Sequence, residues 1–274
     1  MNGPPRVNVS VYDRCAPGYD PHVAYFRTFG RLLVDLAAPA PGERVLDVAA
    51  GRGACLFPAA ERVGPGGRVD GVDLSPAMVA HLAADIEAGG TANAWAAQMD
   101  AQALTVPESS YDVVLCAFAL FVMPDPGAAV DGFRRALRPG GRCAVSVPSM
   151  TLVPGDVEEV REVFRSYAER SGSPVFRRRI YGVDPGALLE AAGFTGVRAR
   201  EETARFVFRD TAAWWEWTWS TGIRSFYEHL PAGLLEELRR ELFALLAPLE
   251  TPDGLPPGTE RPRFATARRP ETDG

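Results

Sequence analysis

The chain has 274 residues, 46% of them hydrophobic and 23% charged, enough for one large domain or two small ones with a full core. Its net charge of −6 argues against a nucleic-acid-binding face, and no apolar run approaches the ~20 residues of a membrane-spanning helix. All 29 basic residues are arginine, which excludes a Schiff-base lysine, a pyridoxal-phosphate anchor and a P-loop lysine.

The opening MNGPPRVNVS lacks the layout of a signal peptide, so a cytoplasmic location is expected. From 44 to 148, short apolar runs alternate with helical stretches. RVLDVAA (44–50) reads as a strand entering a glycine turn, and CLFPAAERV (55–63) as the helix after it. RVDGVDL (68–74) is a second strand. Ser75 as N-cap and Pro76 at the first helical position then open SPAMVAHLAADIEA (75–88). ANAWAAQ (92–98) is a weaker strand and YDVVLCAF (111–118) a strongly buried one. DPGAAVDGFRRALRPGG (125–141) reads as a helix stopped by Pro139-Gly140-Gly141, before a strand in RCAVSVP (142–148). Such alternation means a parallel sheet with helices on both faces.

After Pro148 the pattern loosens. Helices are expected over 156–171, within 184–194 and over 232–247, with strands in GVRAREET (196–203), ARFVFRD (204–210) and RPRFATARRP (261–270). One domain with a helical insertion fits better than two domains. WWEWTWS (214–220) holds four of the five tryptophans, and Asp210 or Thr211 would cap a helix through it. At 100° per residue those rings would span about 200°, too wide for one buried seam. Core packing, a pocket wall, and a membrane or partner surface all remain open readings of the stretch.

Cys15, Cys55, Cys116 and Cys143 show no zinc spacing, so no metal is expected. The chemistry concentrates at three strand ends. VLDVAAGRG (45–53) brings backbone N–H groups and a helix N-terminus toward a ligand. A nicotinamide fingerprint would need a third glycine where Leu56 stands, which weakens that reading. Asp73, at the tip of the second strand, is placed to accept from both hydroxyls of a ribose. Asp100, after the third strand, is placed to accept from an adenine amino group.

With VLDVAAGRG, GVDLSPAMV (71–79), QMDAQAL (98–104), YDVVLCAF and LRPGGRCAVSV (137–147) in order, the chain resembles a class I S-adenosylmethionine-dependent methyltransferase. It is most similar to the broad group that includes the ubiquinone/menaquinone biosynthesis methyltransferases and many small-molecule methyltransferases. The resemblance covers residues 44 to 148, with Ala49 in place of the family's usual glycine. It implies an α/β, Rossmann-like, seven-stranded, mostly parallel sheet flanked by helices, with helical lid insertions. Residues 1–40 would form N-terminal lid helices and 41–150 the cofactor-binding core. Residues 151–274 would complete the domain, with a substrate lid at about 210–258 and a final strand at about 261–269.

The resemblance also implies S-adenosyl-L-methionine as cofactor. Asp47, Ala49, Gly51 and Gly53 would surround its methionine end, and Asp73 would hold the ribose with Leu74 and Met78 packed nearby. Asp100 and Ala101 would face the adenine, and the Ala117 carbonyl the amino-acid end. VYDRCAPGYD (11–20) resembles the family's tyrosine-bearing lid segment, so Tyr12 and Tyr19 would close over the cofactor.

Many relatives carry a histidine pair before a Pro-Asp. Here the stretch reads Leu120-Phe121-Val122-Met123-Pro124-Asp125, with the Pro-Asp present and no histidine. Either the base lies elsewhere, with His22, His229 and Tyr19 as candidates, or the acceptor needs none. Phe121, Trp214, Trp217 and His229 are the candidate acceptor contacts. The expected activity is methylation of O, N or C of a small aromatic or apolar metabolite. A non-methylating cyclisation and a cofactor-binding protein are the alternatives. Nothing in the sequence sets the oligomeric state, and neither nucleic acid nor membrane is an expected partner.

Overall fold

The computed structural model describes residues 9–20, 23–149, 152–173 and 182–272. The strands, in chain order, are β1 (Arg44–Val48), β2 (Arg68–Asp73), β3 (Ala94–Gln98), β4 (Tyr111–Ala117), β5 (Leu137–Val147), β6 (Thr195–Glu201), β7 (Ala204–Phe206), β8 (Gly258–Glu260) and β9 (Arg263–Arg268). Seven of them form one sheet in the order β3-β2-β1-β4-β5-β9-β6, while β7 and β8 make a separate two-stranded ribbon. β1 pairs parallel with β2 and β4, in register Val45↔Val69 and Val45↔Val113. β9 alone runs against its neighbours β5 and β6. The order reverses between β1 and β4, and that reversal opens a crevice above the strand ends.

The helices are α1 (Val9–Cys15), α2 (Tyr25–Ala37), α3 (Leu56–Val63), α4 (Pro76–Ala88), α5 (Pro126–Ala136), α6 (Glu158–Ser171), α7 (Pro185–Ala191), α8 (Thr211–Trp219), α9 (Arg224–Tyr227) and α10 (Ala232–Leu246). Alternate strand residues supply the two faces of the sheet. Val45, Val69, Val113 and Leu115 pack with Phe29, Leu33 and Leu56 of α2 and α3. Leu46, Val72, Val114 and Cys116 pack with Phe133 of α5 and Leu189 of α7. Aspartate and serine caps fix several helix starts: Ser75 Oγ accepts from the Met78 N–H, and Asp125, Asp184 and Asp210 cap α5, α7 and α8.

Two elements depart from the sequence expectation. The helix expected over 125–141 stops at Ala136, and 137–141 continue as the start of β5, where Leu137 pairs with Tyr111. Pro139 offers no N–H for a further helical turn, and pairing of Leu137 with Tyr111 draws the segment into the sheet, with Gly140 at φ 73° in the irregular stretch before Arg142. ARFVFRD contributes only three strand residues, and these pair with β8 instead of joining the main sheet. Among the described residues, no helix is long and apolar enough to cross a membrane.

The tryptophan stretch is α8, and it is buried on several sides. Trp214 sits 6.4 Å from Phe164 of α6, and Trp217 lies 5.4 Å from both Tyr25 and Phe208. Trp215 lies 4.6 Å from Tyr227 and 6.4 Å from Phe243 of α10. A span too wide for one seam is thus divided among several partners. Trp214 is 1% exposed. Its replacement by alanine is expected to lower unfolding free energy by about 3–5 kcal/mol, read by denaturant titration, with no change in cofactor affinity.

Candidate active site

The polypeptide leaves β1 in a left-handed turn: Ala49, Gly51 and Gly53 take φ values of 57°, 54° and 81°. Glycine adopts such values freely, whereas Ala49 does so at the cost of its Cβ contacts. At Gly53 a Cβ would lie 2.6 Å from the Phe57 ring and 2.8 Å from the Leu82 side chain, so a residue there would have to push both aside. At Gly51 a Cβ would meet only the Tyr19 ring, at 3.8 Å. One glycine therefore admits the helix, and the other opens toward ligand space. α2 packs close to this turn through Gly30, where a Cβ would lie 2.3 Å from the Ala54 carbonyl oxygen.

The two strand-end acids flank the turn. Asp73 accepts from the Gly51 N–H and the Ser75 N–H, each at 2.9 Å. Burial raises its pKa, and those N–H groups oppose the rise. Asp47 is 1% exposed, and its Oδ2 has no hydrogen-bond partner. Burial, reinforced by nearby Asp73 and opposed by the Leu56 N–H, pushes its pKa from 3.8 up to about 8. Asp100 caps the short turn Ala101–Ala103 by accepting from the Gln102 N–H at 2.9 Å.

Two adjoining cavities, of about 500 Å³ and about 100 Å³, share Tyr19, Ala49, Gly51, Ala117 and Phe118. The larger takes in Asp47 and Gly53 and runs out past Phe26, Phe29, Arg27 and Arg31 of α2. The smaller takes in Tyr12, Asp73, Leu74, Met78, Asp100 and Ala101. Every residue that the resemblance put around the cofactor therefore lines one cavity or both. The free Asp47 oxygen, the open side of Gly51 and the two acids suit a ligand that carries both hydroxyls and an ammonium group.

The acceptor contacts fall out differently. Phe121, Trp214, Trp217 and His229 line neither cavity. Trp214 and Trp217 face the core, because α6, α2 and the residues around Phe208 pack against α8. The short turn Leu120–Val122 presents Val122, and Met123 after it, to the smaller cavity in place of Phe121. His229 is exposed just past α9, and His22 lies outside the described residues. Tyr19 does line both cavities, with its ring stacked 4.5 Å from Phe26. Burial, with Tyr12 and Asp73 close by, holds its hydroxyl pKa well above the usual value, so it keeps its proton and is no base at neutral pH.

Sequence reasoning missed Phe26, Phe29, Arg27, Arg31 and Phe118. The first four sit on adjoining positions of α2, and their amphipathic spacing was the available signal. Phe118 takes φ 51° just after β4, while its N–H bonds the Ser146 carbonyl at 3.0 Å. A left-handed aromatic residue beside a cavity is a strain that only the fold reveals.

Residues 45–141 match the family model described as a methyltransferase domain. Nocamycin O-methyltransferase of Saccharothrix syringae is 36% identical over 253 residues, covering 85% of this chain and 90% of that protein. The chain belongs to the class I S-adenosylmethionine-dependent methyltransferases. S-adenosylmethionine is its cofactor. Aklanonic acid methyltransferase DauC of a Streptomyces species (strain C5) is 40% identical over 139 residues, covering 51% of this chain and 60% of that protein. Among solved structures, the YcgJ protein of Bacillus subtilis superposes with a TM-score of 0.56 at 18% identity, covering 89% of this chain and all of that one. The [4+2]-cyclase SpnF does so with the same TM-score and identity, covering 97% and 94%. At that identity both likenesses speak for the fold alone.

The buried Asp47 gives this methyltransferase a testable pH dependence. A carboxyl whose folded pKa exceeds its unfolded value contributes its full stability below the unfolded value and loses it as pH rises toward the folded one. The ligand-free protein should therefore fall behind an Asp47→Asn variant in Tm as pH rises from about 4 to about 8. Thermal melts of both proteins across that range check it.

Proposed function

We propose that this methyltransferase methylates an oxygen of a small, largely apolar aromatic metabolite, and that this oxygen reaches the site already ionised. The observation that carries the reading is the aromatic part of the larger cavity's lining, made by Phe26, Phe29, Phe118 and Tyr19. The extended similarity to a protein named as an O-methyltransferase, together with one named for a carboxylic acid, supports oxygen as the acceptor atom and secondary metabolism as the setting.

In this reading Asp73 accepts from the two ribose hydroxyls with the lone pairs left over from Gly51 and Ser75. Asp100 and Ala101 face the adenine, with Leu74 and Met78 against it. Asp47 Oδ2 and the Ala117 carbonyl accept from the methionine ammonium, which would draw Asp47 back to its charged form. Ala49 and Gly53 shape the turn, and Tyr12 and Tyr19 cover the cleft. S-adenosylmethionine, when bound, supplies a methyl group already activated by a sulfonium. The remaining work of the chain is to align the acceptor and exclude water.

In this reading no proton has to be removed. No histidine among the described residues lines either cavity, and Tyr12 and Tyr19, half-buried beside them, hold their protons. A carboxylate or an acidic phenol or enol needs no base, and so suits this site better than a neutral alcohol. Apolar walls around an ionised oxygen also leave it poorly solvated and more nucleophilic.

Incubation with methyl-labelled S-adenosylmethionine and a panel of hydroxylated aromatic acids, phenols and amines tests the reading. Labelled O-methyl product and S-adenosylhomocysteine are expected in equal amounts. Product of unchanged mass, with no S-adenosylhomocysteine formed, would overturn it. With an accepted substrate, Phe26→Ala should raise the acceptor KM roughly tenfold and leave cofactor affinity within about twofold, measured by steady-state kinetics and calorimetry.

A further inference from the structure

We infer that Glu228 is a positioning residue for methyl transfer: acting through Arg14, it clamps α1, and with it Tyr12, over the cofactor cleft. The inference rests on the reading of the two cavities as the cofactor site.

Val9 and Tyr12 of α1 line the smaller cavity, and Tyr19, a few residues on, lines both. α1 forms part of the wall beside Asp73, so in this reading the nucleoside end of the cofactor lies against it and is freed when α1 lifts. Whatever holds α1 down therefore controls the cofactor's exchange.

One side of α1 is fastened to the cofactor-binding half. Val11 and Cys15 pack with Met78 of α4. Asp13 Oδ1 accepts from Ser75 Oγ at 2.5 Å and from the Ala77 N–H at 3.3 Å. Ser75 in turn donates its N–H to Asp73. The fastening thus reaches the residue assigned to the ribose.

The other side is fastened to the tryptophan-bearing insertion. Arg14 makes a two-point ion pair with Glu228, through Nε to Oε1 at 2.8 Å and through Nη2 to Oε2. Arg224 braces the same carboxylate from α9 at 2.8 Å, and its Nη1 donates to the Arg14 carbonyl at 2.9 Å. Cys15 Sγ lies 3.4 Å from the Thr221 carbonyl oxygen, and a Cβ on Gly222 would lie 3.4 Å from the Tyr12 hydroxyl. The Arg14 pair, followed by Arg224, holds the Glu228 carboxyl below its usual range.

Both partners of the pair are partly exposed, at 40% and 30% of their side chains. Such a pair is modest in strength and screened by salt. A clamp that must open in every catalytic cycle has to be of this kind. It also links the two halves of the site, since the α8–α9 corner cannot move far without loosening α1.

The test uses S-adenosylhomocysteine as the probe, with stopped-flow release and calorimetry on the full-length protein. Glu228→Gln and Arg14→Gln should each raise the release rate and the Kd about threefold to fivefold, with Tm of the ligand-free protein nearly unchanged. The double variant should do no more than either single one. Added salt should speed release from the wild type and not from the variants. Release at the wild-type rate from an Arg14→Gln variant whose ligand-free Tm matches the wild type would overturn the clamp, as would additive effects in the double variant. A wild type that fails to bind S-adenosylhomocysteine would overturn the cofactor-site reading instead.

Discussion

The Gly51 N–H donates to the Asp73 carboxylate at 2.9 Å, joining the turn after β1 to the tip of β2. This bond fixes how the first two strand ends present themselves to a ligand, and most of the cleft follows from it. The left-handed conformations of Ala49, Gly51 and Gly53 turn the backbone sharply enough for α3 to begin beneath it. Gly53 admits the helix by having no side chain, and Gly30 lets α2 lie against the same turn. Remove the register between β1 and β2 and none of these approaches can be made.

The cleft holds local structure that packing alone would not choose. Asp47 is buried with an unpartnered oxygen, Ala49 and Phe118 are left-handed without being glycine, and a second acid stands near the first. Each of these costs free energy in the ligand-free protein, and the surrounding sheet is what tolerates them. At the ends of β1, β2 and β4 they stand together around the two cavities. By contrast, the helical insertion is mostly core. Its tryptophans spread over α2, α6, α9 and α10, and the indole N–H groups of Trp214 and Trp217 go unpaired there.

The insertion still bears on the site, by a route other than its aromatic rings. α8 and α9 end in a corner that meets α1, and α1 roofs the smaller cavity. The aromatic helix gives that corner a rigid base, and the charged residues after it make contact with the N-terminal segment. Burial and electrostatics thus divide the work between neighbouring stretches of the same insertion.

The sequence by itself determined the alternation of strands and helices over the first half of the chain, the glycine turn after the first strand and the acids after the second and third. These are local properties: alternation, caps and short motifs leave their mark within a few residues. It therefore pointed to Gly51, Asp73 and Asp100 without any tertiary information, and the family resemblance added Asp47. It offered Trp214, Trp217, Phe121 and His229 as candidate acceptor contacts, and these line neither cavity, because the direction a side chain faces depends on which other elements pack around its own. Only the tertiary structure brought Phe26 and Phe29 of α2 against Phe118 at the end of β4, and Arg14 against Glu228 from the far side of the chain. No spacing rule encodes those meetings. The first arises where the strand order reverses, and the second where α1 meets α9.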